Sequence, residues 1–291
     1  MALELSLQDM VSIQQLFTRQ KWEIDESNKY SLYNRFIHTY RRLNDDERSL
    51  LISLSYHFKI VTLDQYQKQL IDVLSRIVKK HLGKKQTIYV YPIKKKSHTE
   101  HIKSADVVTY LCNATQMKYT DVLSNKKMIL LGSMSQVEAK KTQIQKNILI
   151  IVDDFIGSGK YTTEVVNELT SLGLLPEQIV IASLYITQAG IEKLKNTQCP
   201  LEYGEIIEAY IEKLTLSEKT TLVEIEKKMC VDPEFQFGYG HNGTLVSLVR
   251  TPNNTLPIFW MPVGRKPAPP FLGKRRRKIK CRMQMKCYLY S

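Results

Sequence analysis

Apolar residues in the first 85 positions recur three and four apart. Leu5, Leu7, Met10, Val11, Ile13, Leu16 and Phe17 trace one stripe, and within 30–43 Leu32, Tyr33, Phe36, Ile37 and Tyr40 share a face. That spacing predicts helices. Asn44-Asp45 offers a cap for a third helix running through Ser55. Thr62 caps a fourth, whose stripe is Leu63, Tyr66, Leu70, Val73, Leu74, Ile77 and Val78. Such aromatic-rich stripes are read as packing core. At Gln86 the pattern changes to short apolar runs at 87–91, 128–131, 148–152 and 179–185, separated by helix-like segments at 104–114, 160–172 and 188–196. Strands alternating with helices predict an α/β fold with a mainly parallel sheet covered on both faces. A further helix is expected over 215–229. After it, 235–262 is rich in Gly, Pro, Asn and aromatics, with one strand-like piece at 244–249. Pro267, Pro269 and Pro270 mark a hinge. The expected organisation is a helical N-terminal region (1–85), an α/β domain (86–263) and a tail (264–291).

Charge sharpens that division. The 291 residues hold 42 Lys and Arg against 29 Asp and Glu, a net charge of +13. Ten of the basic residues and none of the acidic ones lie between Gly264 and Ser291, which leaves 32 against 29 in the body. The body is nearly neutral and the tail carries the excess. Lys274, Arg275, Arg276, Arg277, Lys278, Lys280 and Arg282 form a like-charge run after the proline hinge, a composition expected of a nucleic-acid-binding arm. At 43% apolar and 24% charged, the composition excludes global disorder and fibrous repeats. Five scattered cysteines with no C-x-x-C pair argue against a disulfide framework and a cysteine zinc site. With no secretory signal pattern and no apolar run long enough for a bilayer, the expected compartment is the reducing cytosol.

The stretch richest in chemistry is Asn147 to Thr162, where a buried strand runs into Asp153 and Asp154, then Gly157-Ser158-Gly159, then a helix. Ligands of open parallel sheets sit at the carboxyl ends of strands. A loop over Gly157, Ser158, Gly159, Lys160, Tyr161 and Thr162 can offer backbone N–H groups to a phosphate. Two acids would repel that phosphate unless they bind something uncharged or bring a cation; a ribose diol beside a 5′-phosphate meets the requirement. A Walker A loop is excluded, since Asp154 and Tyr161 stand where Gly and Ser/Thr are needed. After 87–91 comes a second loop holding Lys94, Lys95, Lys96, Ser97, His98, His101 and Lys103, whose ammonium groups and hydroxyl suit a diphosphate. No third ligand accompanies His98 and His101 at a spacing diagnostic of zinc.

Residues 152–162 resemble the phosphoribosyl pyrophosphate signature of type I phosphoribosyltransferases: an apolar strand, two acids, two mostly apolar residues, then a small Ser-Gly loop. The resemblance extends over roughly 86–250. It implies that Asp153 and Asp154 hold the ribose hydroxyls, that Gly157 to Tyr161 wrap the 5′-phosphate, and that the 94–103 loop binds pyrophosphate with Mg2+, held mainly by ligand oxygens. Tyr161 departs from the family, which usually has Ser or Thr there, with Thr162 one place late. Tyr185, Tyr239, His241, Asn253 and Asn254 are candidates for the base side, with core packing the rival explanation for Tyr185 and turn geometry for the asparagines.

Phe237-Gly238-Tyr239-Gly240 and Thr251 to Trp260 resemble a narrower group, the divergent phosphoribosyltransferase-like effectors of bacterial conflict systems. These include anti-phage effectors encoded beside retron reverse transcriptases with a winged-helix companion. That resemblance implies a helical N-terminal extension, a C-terminal hood over the phosphoribosyltransferase-like domain, and an activity at C1′ of a phosphoribosyl group or nucleotide. It also implies partners: a winged-helix protein, a reverse transcriptase and its RNA/DNA product. The alternative is a phosphoribosyl-binding sensor, or a structural subunit of a nucleoprotein complex, without catalysis.

Overall fold

The computed structural model describes residues 4–98, 101–262 and 269–271. The chain forms two compact units. One is Ile60–Ala209; the other joins the residues up to Lys59 with those from Tyr210 onward. The division therefore falls at 59/60 and 209/210. The expected boundary at 85/86 lies inside the first unit, and 210–262 goes with the N-terminal helices.

The N-terminal helices are α1 (Leu7–Gln20), α2 (Leu32–Tyr40) and α3 (Asp45–Tyr56). Each start is decided locally: the Ser6, Ser31 and Asn44 side chains accept from backbone N–H groups three residues on, and Asp9 and Glu47 complete capping boxes. Their apolar stripes meet around Phe17, whose ring makes edge contacts with Trp22, Tyr33 and Phe36 at 5.1–5.4 Å between centroids. A two-residue strand, β1 (Lys59–Ile60), ends this part of the chain.

The unit Ile60–Ala209 opens with α4 (Leu63–Ile77), capped by Thr62 with Gln65 and prolonged by a π-helical turn, Val78–Leu82. There follow β2 (Thr87–Pro92), α5 (Ser104–Leu111), the short α6 (Thr115–Lys118), β3 (Lys127–Leu130), α7 (Met134–Ala139), α8 (Lys141–Gln145), β4 (Ile148–Ile156), α9 (Lys160–Ser171), β5 (Ile179–Ile186), α10 (Gln188–Lys195) and β6 (Leu201–Ile206). The five strands form one parallel sheet in the order β3-β2-β4-β5-β6. The expected α/β fold and parallel sheet are present.

Two details differ from expectation. β4 runs past 152 to Ile156, because β5 stays in register beside it through Ile156↔Ile186. β6 has no apolar run to announce it. It is an edge strand whose Glu202 is held by Arg76, Lys80 and His81 from the α4 end. One face of the sheet, including Leu149, Ile151, Ile179 and Ile181, is buried under Met134, Val137, Ile144, Val165, Leu169 and Leu194 from α7 to α10. On the other side, α5 packs on β2 and β4, and α4 on β5 and β6.

The chain then returns to the first helices. α11 (Leu216–Lys228) packs on α3, where Lys228 Nζ meets Glu47 Oε1 at 2.6 Å. The expected strand 244–249 is reduced to β7 (Val246–Ser247). Phe58 lies 4.3 Å from both Phe259 and Phe271, centroid to centroid, so the segment beyond 250 completes the core of this unit. Among the described residues, no helix is long and apolar enough to cross a membrane.

Candidate active site at the switch point of the sheet

β2 has β3 on one side and β4 on the other, so the strand order reverses between β2 and β4. A crevice opens at such a switch point, at the carboxyl ends of the strands. Both segments singled out for chemistry leave the sheet there. Ile93 N–H still donates to Val152 O at 2.8 Å, so the lysine loop and the acid pair begin side by side.

The acids occupy unequal places. Asp154 is 3% exposed, and its Oδ2 accepts from Tyr66 Oη of α4 at 2.8 Å. Asp153 is half-buried, and its Oδ1 accepts the Asp154 N–H at 2.9 Å. Burial holds the Asp153 carboxyl well above the usual carboxylate range, and the Asp154 charge with a hydrogen bond between the two side chains adds to it; Lys103 opposes the shift. The two carboxyls are thus a pair that favours sharing a proton. Such a pair can accept from hydroxyls and, when fully ionised, can face a cation.

The loop after β4 is shaped from behind. Thr187 N–H donates to Ile156 O at 3.0 Å, and Thr187 Oγ1 to Gly157 O at 2.8 Å. A Cβ on Gly190 would come within 2.5 Å of Gly157 O, so only glycine lets α10 approach this closely. Gly159, in the left-handed region at φ 69°, is the N-cap, and no side chain caps it. Uncapped N–H groups and the helix dipole make an anion site. Ser158 is half-buried at the loop and Lys160 is exposed. Thr162 is buried with Val165, Val166 and Leu169 on the inner face of α9, so its side chain belongs to the core.

Tyr161 connects this loop to the lysine loop. Its Oη accepts the Lys95 N–H at 3.0 Å, lies 2.9 Å from His98 Nδ1, and accepts from Lys103 Nζ. The His98 ring stacks beside the phenol at 19°, and Lys103 Nζ stands 3.9 Å from the ring centroid. The other basic groups of the loop also have partners. Lys94 is 3% exposed, with Nζ on Asp106 Oδ1 at 2.7 Å, and Lys95 Nζ pairs with Glu164. Lys96 N–H donates to Glu168 Oε2 at 2.9 Å; its side chain and Ser97 are exposed. Two of the lysines expected to meet a diphosphate, Lys94 and Lys95, are thus held by the chain's own acids. The His98 and His101 rings are 6.3 Å apart, and among the described residues no three His, Cys, Asp or Glu gather as a metal-binding set.

The candidates for the base side are less accessible or belong elsewhere. Tyr185 is 1% exposed on β5, beside Gln69 of α4, and burial pushes its phenol up to about 12. It is core, since a ring at that depth cannot stack on a base. Tyr239, His241, Asn253 and Asn254 belong to the other unit. There Asn254 Nδ2 donates to Tyr239 O at 2.8 Å, and Tyr239 N–H to Asn253 O at 2.8 Å. Asn254 is a buried brace, whereas Asn253 and His241 are exposed and Tyr239 half-buried. The basic run Lys274 to Arg282 lies outside the described residues.

Sequence reasoning missed Tyr66, Asp106, Glu164, Thr187, Glu168 and Gly190. Tyr66 sat in an apolar stripe and read as core, and nothing local marks it as an Asp154 partner. Glu164 and Glu168 carried one signal: with Tyr161 they recur at i, i+3 and i+7, a single helical face.

The PRTase-CE family model matches residues 33–270. Partial likenesses occur among solved structures. A purine phosphoribosyltransferase from Pyrococcus horikoshii is 13% identical over 52% of this chain and 88% of its own, with a TM-score of 0.30. An orotate phosphoribosyltransferase from Aeropyrum pernix is 13% identical over 51% and 72%, with a TM-score of 0.29. A hypoxanthine-guanine phosphoribosyltransferase from Schistosoma mansoni in complex with IMP is 15% identical over 50% and 67%, with a TM-score of 0.30. No curated protein sequence matches significantly. The family model covers most of the chain, the switch-point crevice and the acid–glycine loop included, and the chain belongs to the PRTase-CE family.

Proposed function

We propose that the crevice binds a 5-phosphoribosyl group and that the protein acts at its C1′ carbon. The observation that carries this reading is the junction of β4 and α9: a carboxyl pair opens directly into an uncapped, glycine-framed helix N-terminus. The N–H groups of the α9 start bind the 5′-phosphate, and the carboxyls accept from the ribose hydroxyls. Bond breaking at C1′ builds positive charge on the ring, so a carboxylate held close lowers the barrier through placement and electrostatics. Lys103, Lys95 and His98 flank the leaving-group side. Mg2+ would be bound mainly through the ligand's oxygens; its charge would favour the ionised form of the carboxyl pair against the burial that disfavours it, and when bound it would neutralise charge on the leaving group.

The wider setting we propose is that of an anti-phage effector of the retron type, with a winged-helix protein and a reverse transcriptase as partners and the basic tail on its RNA/DNA product. This part rests on the resemblance of 237–240 and 251–260 and on tail charge. Co-purification with those partners, retained by the full chain and lost on truncation after Pro270, tests it.

Binding without turnover is the second reading. The pairing of Lys94 and Lys95 with Asp106 and Glu164 favours it, because cations so engaged activate a leaving group poorly. Calorimetry with ribose 5-phosphate and with phosphoribosyl pyrophosphate and Mg2+, followed by assays for pyrophosphate and free base, separates the two. Asp153→Asn with Asp154→Asn keeps the shape and the Tyr66 acceptor, so the double variant folds. It is expected to lose ligand binding and turnover at least tenfold. Wild-type binding in that folded variant overturns the reading.

A further inference from the structure

The face of α9 next to the lysine loop carries Tyr161, Glu164 and Glu168. Each engages a group that a diphosphate would need. Tyr161 Oη takes the Lys95 N–H at 3.0 Å, Glu168 Oε2 takes the Lys96 N–H at 2.9 Å, and Glu164 pairs with Lys95 Nζ. Asp106 on α5 does the same for buried Lys94, at 2.7 Å. A diphosphate binds a loop through backbone N–H and ammonium groups of this kind. Here it meets acceptors already in place, and three carboxylates that repel its charge. The α9 start differs, because its N–H groups carry no side-chain cap. Tyr161 belongs to both places, with its backbone at the phosphate end and its hydroxyl on the lysine loop.

We infer that the Tyr161–Glu164–Glu168 face is a built-in competitor for diphosphate. The crevice therefore selects ligands with a single 5-phosphate, ribose 5-phosphate or a nucleoside 5′-monophosphate, over phosphoribosyl pyrophosphate. This rests on the phosphoribosyl reading above and assigns its substrate class.

Calorimetry on the full chain with Mg2+ compares ribose 5-phosphate and phosphoribosyl pyrophosphate. Wild type is expected to bind ribose 5-phosphate at least about threefold more tightly than phosphoribosyl pyrophosphate. Glu164→Gln with Glu168→Gln removes two charges from a half-buried helix face and keeps the side-chain shapes; circular dichroism checks that it folds. It is expected to bind phosphoribosyl pyrophosphate about tenfold more tightly, with ribose 5-phosphate unchanged. Tyr161→Phe shifts the ratio of the two affinities in the same direction. Wild-type preference for phosphoribosyl pyrophosphate, or binding of it by the Gln variant no tighter than by wild type, overturns the inference and leaves the phosphoribosyl reading standing. No binding of either probe by wild type or variants overturns that reading and this inference with it.

Discussion

Replacing Tyr66 with Phe removes one hydroxyl from beneath the carboxyl pair. Tyr66 is fully buried, Asp154 is 3% exposed, and the Oη to Oδ2 distance is 2.8 Å. The ring and its packing remain, so the loss is the hydrogen bond and not a cavity of any size. A hydrogen bond to an ionised group contributes about 1.5–3 kcal/mol, and a buried carboxylate oxygen left without its donor loses that amount. For a unit of this size the melting temperature should fall by roughly 3–10 °C. Thermal and urea unfolding of the full chain measure it. A double-mutant cycle assigns it to the pair: against Asp154→Asn, where the acceptor is neutral, Tyr66→Phe should cost about half as much. A loss below about 0.5 kcal/mol in wild type, or equal losses in both backgrounds, refutes the idea that α4 positions this acid through charge.

Two further outcomes follow from the same geometry and from the second unit. Gly190→Ala places a Cβ 2.5 Å from Gly157 O and 3.0 Å from Ile156 O. It should destabilise by about 1–3 kcal/mol and, by pushing the phosphate loop, weaken ribose 5-phosphate binding; wild-type calorimetry and melting would contradict this. Glu226 is buried, its Oε2 has no hydrogen-bond partner among the described residues, and burial pushes its carboxyl up to about 7. The unfolded chain gives up that proton near its ordinary value, while the folded chain keeps it to about 7. Stability is therefore highest below the ordinary value and falls as pH rises through about 7, by on the order of 3 kcal/mol. Unfolding at pH 5 and pH 8 should show this fall shrinking in Glu226→Gln, and parallel profiles would count against it.

Much of the fold was legible because its signals are local. The caps at Asn44 and Thr62 work over three residues, and the apolar runs at 87–91 and 148–152, alternating with helices, announce buried strands of a parallel sheet. The candidate site was legible for the same reason: acids, glycines and helix start occupy one continuous stretch, so the backbone alone brings them together. β6 was not legible. Its residues alternate weakly, and its place depends on β5 as neighbour and on Arg76, Lys80 and His81 gathering at Glu202. The role of Tyr161 was hidden because a single sequence shows a substitution and not its partner.

By itself the sequence determined the α/β alternation, the acid–glycine junction at 153–162, the basic loop after 87–91 and the separation of a neutral body from a charged tail. Each is a property of neighbours along the chain. Tertiary structure alone decided that Tyr185 is core, that Tyr66 holds Asp154 from 88 positions away, that Lys94 and Lys95 of the loop are already paired with acids, and that 210–262 joins the first helices. The physical reason is the same in each case. A side chain's type sets what it can bind, but which partner it meets is set by strand order and helix packing, which bring together residues that no local pattern links.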